Sequence, residues 1–371
     1  MKTKYKISAL LMALTLLLVG CSGGSGDKDK TDPNAKGFKN IMFVVTGSLG
    51  GGTNNDDVYE TLTAYAKTVD GKVDTFEANM DTSLFESTLM KASESGQYDL
   101  IVTGFGTMIE ALSNTAKAYP DQKYFIFDTE MDYKDGKNSN VISAQALQNQ
   151  GGFLAGVMAA LVTTSDAEFA NDQKKVGFVG AIESTSIQDF LVSYIEGVKY
   201  IDPSVEVIYS FVGNHKDTAL AKEIALTQYQ QGADVIFAVG GNGLGVAEAS
   251  KDANRYVIGV DFDYSERVEE DTKNHVLTSV IKDYKKMVNP ILEGINNDTI
   301  KWGTHEYISY DKGGVYLVNN EYTKKALSKE VLDKYSEVEE KIKNNEIEVS
   351  TAFGATKEEI DAILNKSKAT N

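Results

Sequence analysis

Short apolar runs alternate with longer runs of helical periodicity along most of this chain. "NIMFVV" (40–45), "KVDTFEA" (72–78), "YDLIVTG" (98–104), "KYFIFD" (123–128) and "NVISAQA" (140–146) have the length and the β-branched, aromatic character of strands. Between them, residues 55–68, 82–95 and the segment "TMIEALSNTAKAYP" carry helical spacing, the last halted by Pro120. A second set begins with "QGGFLAGVMAALVT", a helix whose small residues suit close packing. Strands at 175–180, 205–211, 233–240, 255–261 and 275–281 follow, alternating with helices near 186–199, 217–231 and 243–252, and then the helix "KMVNPILEGI". "LSKEVLDKYSEVEEKIKNNEIEV" reads as a surface helix plus a final strand, and "TKEEIDAILNKSK" opens on a capping box of Thr356 and Glu359.

This is βα repetition, and nearly continuous apolar strands imply parallel sheets covered on both faces. One sheet of more than ten strands would be unusual. The pattern therefore predicts an α/β protein of two doubly wound lobes with parallel central sheets. Each lobe would turn its strand carboxyl ends toward the other, with a ligand cleft between them. The expected division gives residues 38–147 and 263–300 to the N-terminal lobe and 148–262 and 301–350 to the C-terminal lobe, with 351–371 as a tail helix.

The first twenty residues differ from the rest. A basic start, "MKTKYK", a short apolar run and then Cys21 read as a secretion signal rather than a spanning helix. "LLVGC" resembles the lipobox of bacterial lipoproteins, which implies cleavage before Cys21, the one cysteine of the chain, and lipidation (palmitate) of it. Residues 22–37, "SGGSGDKDKTDPNAKG", read as a solvated tether, giving 21–37 as a linker between a lipid anchor on the outer face of a bacterial membrane and the folded body. Loss of Lys2, Lys4 and Lys6 with the signal takes the formal charge from −17 to −20. That balance disfavours nucleic acid as a partner.

The chemistry points to binding rather than turnover. "VVTGSLGGGTNNDDVYETL" (44–62) runs from strand through glycines into a helix start, but no lysine follows the glycines as a phosphate loop requires. Asp56 and Asp57 occupy the helix N-terminus that would otherwise attract phosphate. Such a loop suits a neutral ligand bearing hydroxyls or amides; equally, Asn54 or Asn55 could serve only to cap the helix. "VGGNGLG" (239–245) offers backbone amides from a second strand-to-helix turn. Asp261 ends a strand and can grip paired hydroxyls, and Lys282 ends another and can pair with it. Asp128 ends "YFIFD", a position that equally suits a turn cap. His215, His275 and His305 are far apart and lack zinc spacing, and no calcium-loop or Ser/His/Asp pattern is present. No cofactor is expected and no enzymatic activity.

"AYPDQKYFIFD", "FLAGVMAAL", "KVGFVG", "QGADVIFAVGGNGLGV" and "VIGVDFD" resemble the basic membrane protein family of substrate-binding lipoproteins, which includes bacterial purine nucleoside receptors. The resemblance covers most of residues 38–350. It implies a type I periplasmic-binding-protein fold, a monomer, and delivery of a captured solute to an ABC permease with a cytoplasmic ATPase. It implies a site built from Asn55, Asp261, Lys282, Gly240, Gly241 and Gly243, with Glu110 as the first-lobe acid. Asn54, beside Asp56, stands where the family pattern Asp-x-x-Phe-Asn has its first aromatic residue, and His215 falls at the second; Ala146 replaces a further phenylalanine. Phe105, Tyr209, Phe211, Phe262 and Tyr264 are the rings available to compensate. The implied ligand is a purine nucleoside or a more polar, sugar-like solute, and the competing role is a sensor lipoprotein that reports to a signalling partner.

Overall fold

The computed structural model describes residues 37–368. Cys21, the leader and all of the tether but Gly37 lie outside the described residues, as do the last three residues of the tail.

In chain order the strands are β1 (Asn40–Val45), β2 (Lys72–Glu77), β3 (Leu100–Gly104), β4 (Lys123–Phe127), β5 (Val141–Ala146), β6 (Lys175–Gly180), β7 (Glu206–Phe211), β8 (Ala233–Val239), β9 (Tyr256–Val260), β10 (Val276–Lys282), β11 (Thr304–Ile308) and β12 (Val315–Leu317). The helices are α1 (Asn54–Thr68), α2 (Phe85–Glu94), α3 (Ile109–Ala118), α4 (Gln148–Thr163), α5 (Thr185–Ile201), α6 (Thr218–Gln230), α7 (Gly243–Asp252), α8 (Tyr284–Asn296), α9 (Glu321–Ala326), α10 (Lys329–Lys343) and α11 (Lys357–Leu364). Two six-stranded sheets result, ordered β11-β5-β4-β3-β1-β2 and β12-β10-β9-β8-β6-β7. Every pairing is parallel except that of β12 with β10. The central strands β3, β4, β8 and β9 are buried almost throughout, as parallel strands covered by helices on both faces must be.

The chain passes between the sheets after β5, after β10 and after β11. That corrects the expected lobe boundaries. Residues 276–282 were assigned to the first lobe but pair with β9 in the second sheet, whereas α8, which follows them, packs its Met287, Val288 and Ile291 into the first-lobe core. Residues 304–308 were assigned to the second lobe but form the edge of the first sheet beside β5. Their "THEYI" run is half exposed and so carries no apolar signal. The final strand expected at the end of "LSKEVLDKYSEVEEKIKNNEIEV" is also absent among the described residues. That segment's backbone bonds to side chains instead: Asn149 Nδ2 donates to the Val349 and Ser350 carbonyls (3.0 and 3.3 Å), and Ser350 N–H donates to Glu196 (2.9 Å).

The small residues of α4 do permit close packing. All sixteen positions of this helix are buried, and a Cβ at Gly156 would come within 2.1 Å of the Tyr194 carbonyl of α5. Helix α4 is thus held against α5 directly behind the crossing that leads out of β5. The capping box of Thr356 and Glu359 forms at the start of α11.

Candidate functional site

Three cavity residues are placed by one local device. Phe105, Asp128 and Asp261 each stand one residue beyond the carboxyl end of a strand (β3, β4 and β9). Each extends the ladder by one bond, its N–H donating to the Phe127, Ala144 and Val280 carbonyls at 2.9, 2.8 and 2.8 Å. Each then turns out of the sheet at positive φ: +70°, +57° and +69°. Aspartate tolerates that region. Phe105, with ψ 155°, does not, because this conformation is adopted almost only by glycine and costs on the order of 1–3 kcal/mol.

Between the two sets of strand ends lies a cavity of about 190 Å³. Asn54, Phe105, Asp128 and Tyr284 line it from the first lobe, and Ser186, Ile187, Phe190, His215, Val239, Gly240, Gly241, Val260 and Asp261 from the second, with Lys282 at the crossing. Gly240 sits at φ +123°, and a Cβ there would lie 2.4 Å from the Ala181 side chain, so only glycine brings this backbone to the wall.

A polar chain runs along the floor. Lys282 Nζ is 2.7 Å from Asp128 Oδ2 and 3.8 Å from Asp261 Oδ1. Tyr284 donates its hydroxyl to Asp128 Oδ2 (2.8 Å) and accepts from Asn54 Nδ2 (3.1 Å). The phenol proton is committed to Asp128, so the Asn54 amide must present its NH2 to Tyr284, which leaves its Oδ1 available. Burial alone would lower the Lys282 ammonium, but the carboxylates of Asp128 and Asp261 outweigh it and hold its pKa above the ordinary value. Burial raises the Asp261 carboxyl, against the attraction of Lys282. Its Oδ1 has no hydrogen-bond partner among the described residues. Burial also lowers the His215 imidazole, which is therefore neutral at pH 7. The site offers unfilled acceptors at Asp261 and Asn54 and a cation already paired, an arrangement that suits hydroxyl and N–H donors rather than an anion.

Of the residues expected from sequence, Asn54, His215, Gly240, Gly241, Asp261 and Lys282 line this cavity. The others do not. Asn55 is buried and does not line the cavity, and its Oδ1 has no partner among the described residues. Asp56 turns back to its own loop, accepting from Gly50 N–H (2.6 Å) and Thr53 N–H (2.7 Å); Thr53, not Asn54 or Asn55, is the cap residue of α1. Glu110 is exposed on α3, and Gly243 packs under the Tyr264 hydroxyl. Among the compensating rings only Phe105 reaches the cavity; Tyr264 is buried in the second-lobe core, with Phe262 and Phe211 packed on the cores and Tyr209 exposed. Asp128 and Tyr284 are cavity residues that sequence reasoning did not select. The signal for Asp128 was its position after an apolar strand, shared with Asp261. No comparable signal marks Tyr284.

The mouth carries one more link. Arg267 Nη2, from the loop after β9, donates to the Gly52 carbonyl in the β1–α1 loop of the first lobe (2.9 Å), and its guanidinium lies over the Phe262 ring at 5.2 Å. Among the described residues no group of His, Cys, Asp or Glu could hold a metal ion, and no helix is long and apolar enough to cross a membrane.

Comparison with known proteins agrees with this architecture. The chain is similar to the CD4+ T-cell-stimulating antigen of Listeria monocytogenes, 30% identical over 359 residues (92% of this chain, 96% of the relative). It is 29% identical over 339 residues to the ABC transporter nucleoside-binding protein BmpA of Lactococcus lactis subsp. cremoris (85% and 91%). Among solved structures, an ABC transporter solute-binding protein of Aeropyrum pernix K1 superimposes with a TM-score of 0.72 at 21% identity, over 89% of this chain and 98% of that one, and a sugar-binding protein of a Bacillus halodurans sugar ABC transporter with 0.60 at 13% identity, over 78% and 99%. These likenesses identify the type I periplasmic-binding-protein fold. The model of the PnrA-like ABC transporter substrate-binding proteins matches residues 38–352, and the chain belongs to that family.

Proposed function

We propose that this protein captures a purine nucleoside by closure of its two lobes and releases it intact to an ABC permease, working as a lipoprotein held to the membrane through Cys21. The observation that carries the reading is the meeting of Asp261, Lys282 and the Gly240–Gly241 backbone at one cavity between facing strand ends. A strand-end carboxylate with an unpartnered oxygen accepts from a vicinal diol, and the paired ammonium beside it donates to a ring or hydroxyl oxygen. Asn54 supplies a further acceptor. Closure desolvates these groups, so a ligand that leaves one of them unpaired is rejected. The chain's likeness to the ABC transporter nucleoside-binding protein BmpA of Lactococcus lactis supports the same class.

A sugar-like solute is the second reading, favoured by the cavity of about 190 Å³, smaller than most ligand pockets. Mass spectrometry of small molecules released from the denatured protein, followed by calorimetric titration with nucleosides and with free pentoses, separates the two. Recovery of pentose alone, with no heat from any nucleoside, would overturn the first.

A further inference from the structure

We infer that the first lobe rests on the anionic phospholipid headgroups of the membrane through Phe38, Trp302 and the lysines around them. The inference goes beyond solute capture and takes from the proposed function only the membrane attachment at Cys21.

The body is tied down at one edge of the first sheet. Gly37 lies against Tyr65 and Asn296, and Phe38 N–H donates to the Tyr65 hydroxyl (3.1 Å), so the point of attachment is fixed. β1, β3, β4, β5 and β11 run parallel, so their amino ends share this edge, and the cavity lies at the opposite, carboxyl ends. Sixteen peptide units separate Cys21 from Gly37, and they span at most about 55 Å however they are arranged. The edge carrying Phe38 is therefore the part of the body held closest to a bilayer to which Cys21 is attached.

That edge has the chemistry of a membrane interface. Phe38 and Trp302 stack with ring centroids 6.2 Å apart and planes at 22°, and both are half-buried, with part of each ring left to solvent. Each has an exposed lysine next to it in sequence, Lys39 and Lys301, and Lys123 Nζ lies 5.1 Å from the centre of the Trp302 ring. None of these three ammonium groups has a carboxylate partner among the described residues, whereas Lys72 and Lys137 pair with Asp74 and Asp132 (2.7 and 2.9 Å). Asp99 is taken up by the N–H groups of Lys39 and Asn40 (2.8 Å each). Exposed Asp121 and Asp298 keep the local surplus of charge small, so the contact is weak and salt-sensitive. An indole seats at headgroup level, and lysines beside it reach the phosphates. A contact too weak to hold the body alone suffices once an anchor keeps it within reach. Seated in this way, the first lobe turns the cavity away from the bilayer and leaves the second lobe free to swing.

Trp302 is the one tryptophan of the chain, so its fluorescence, excited beyond tyrosine absorption, reads the contact directly. The chain from Cys21 onward, which retains every described residue, is coupled through its single thiol to maleimide-bearing lipid in vesicles of phosphatidylglycerol and phosphatidylcholine, with and without a headgroup spin label. Coupling makes this attachment independent of cellular lipidation, which the intact mass of membrane-extracted protein reports separately. The expected result at low salt is loss of roughly half or more of the Trp302 emission to the spin label. Much less is lost in pure phosphatidylcholine vesicles and in the triple variant Lys39→Ser, Lys123→Ser, Lys301→Ser. Emission untouched by the spin label in phosphatidylglycerol vesicles overturns the seating. Quenching as strong in the lysine variant or in the neutral vesicles overturns it too, and the lipid comparison needs no variant to fold. An unlipidated Cys21 in the cell overturns the attachment and the seating together, and leaves solute capture standing.

Discussion

Lys282 and Asp128 meet across the line between the lobes: the ammonium at the end of β10 in the second sheet lies 2.7 Å from the carboxylate that follows β4 in the first, each 7% exposed. The pair sits at a crossing of the chain, so it ties the register of one sheet to that of the other. Removing one partner leaves a buried charge, which typically costs about 3–5 kcal/mol, whereas replacing both with apolar residues is often neutral. Asp128→Asn should therefore lower unfolding free energy by that order, and the double substitution Asp128→Leu with Lys282→Met should recover most of the loss. Urea denaturation of the wild type and the two variants checks it. A double variant no more stable than Asp128→Asn would mean that the pair is not coupled.

At the mouth, Arg267 Nη2 donates to the Gly52 carbonyl at 2.9 Å, a bond between the lobes that their opening would break. It is exposed to solvent, so its contribution is modest, on the order of 1 kcal/mol or about fivefold in the open–closed equilibrium. Arg267→Ala should shift the population toward the open form and speed ligand dissociation by about that factor. Gly52→Ala should act in the same direction, since Gly52 has φ +61° and a Cβ there would lie 2.7 Å from Arg267 Nη2. Small-angle scattering of the purified protein reads the change as a larger radius of gyration. Identical profiles for all three proteins would remove the latch.

The two-lobed fold was legible because nearly every central strand is an unbroken apolar run, and such runs have few other homes. What failed were the parts whose signal is shared or absent. β10 is apolar enough for either sheet, and only its pairing with β9 decides. β11 is an exposed edge and reads as loop. In the site, Asp261 and Lys282 were found because charged residues at strand ends stand out against apolar runs. Phe105 stood out only as one of five rings available to compensate and Tyr284 not at all, because a ring beside a strand is indistinguishable from core until the cavity is seen. Glu110 came from the family resemblance alone, and it lies exposed on α3 rather than at the cavity.

Two buried groups give the protein opposed pH responses. Burial pushes Asp189 up to about 6, despite hydrogen bonds from Thr351 Oγ1 (2.6 Å) and Ala352 N–H (2.8 Å). The folded form then takes a proton that the unfolded chain, at 3.8, does not. The stabilisation is complete below about pH 4 and lost as pH rises through 6, worth about 3 kcal/mol. His305 works the other way. Burial lowers it to about 4, so its contribution is present above 6.5 and lost as pH falls. Net stability should vary little across this window in the wild type. Asp189→Asn should lose stability relative to wild type between pH 6 and 4, and His305→Gln should gain it. Denaturation curves taken at pH 7, 5.5 and 4 test both signs; parallel curves would refute the assignment.

Asp261 separates function from stability. Its Oδ1 accepts no hydrogen bond among the described residues, Lys282 stands 3.8 Å away, and burial raises its carboxyl. An ionised group so placed does little for the fold, and its backbone at φ +69° is one that aspartate tolerates. Asparagine keeps the shape and tolerates the same φ, but it replaces a charged acceptor with an amide that can accept through one atom only. Asp261→Asn should leave the thermal midpoint unchanged or higher while weakening the binding of a ribose-bearing ligand by about tenfold or more, since hydrogen bonds to a charged acceptor are worth about 1.5–3 kcal/mol. Asp261→Ala should weaken binding as strongly and lower the midpoint as well, because alanine resists positive φ. Calorimetric titration and thermal melts of the two variants side by side decide the matter: unchanged affinity in D261N would place the ligand's hydroxyls elsewhere, and a lowered midpoint in D261N would mean that the carboxylate holds the fold after all.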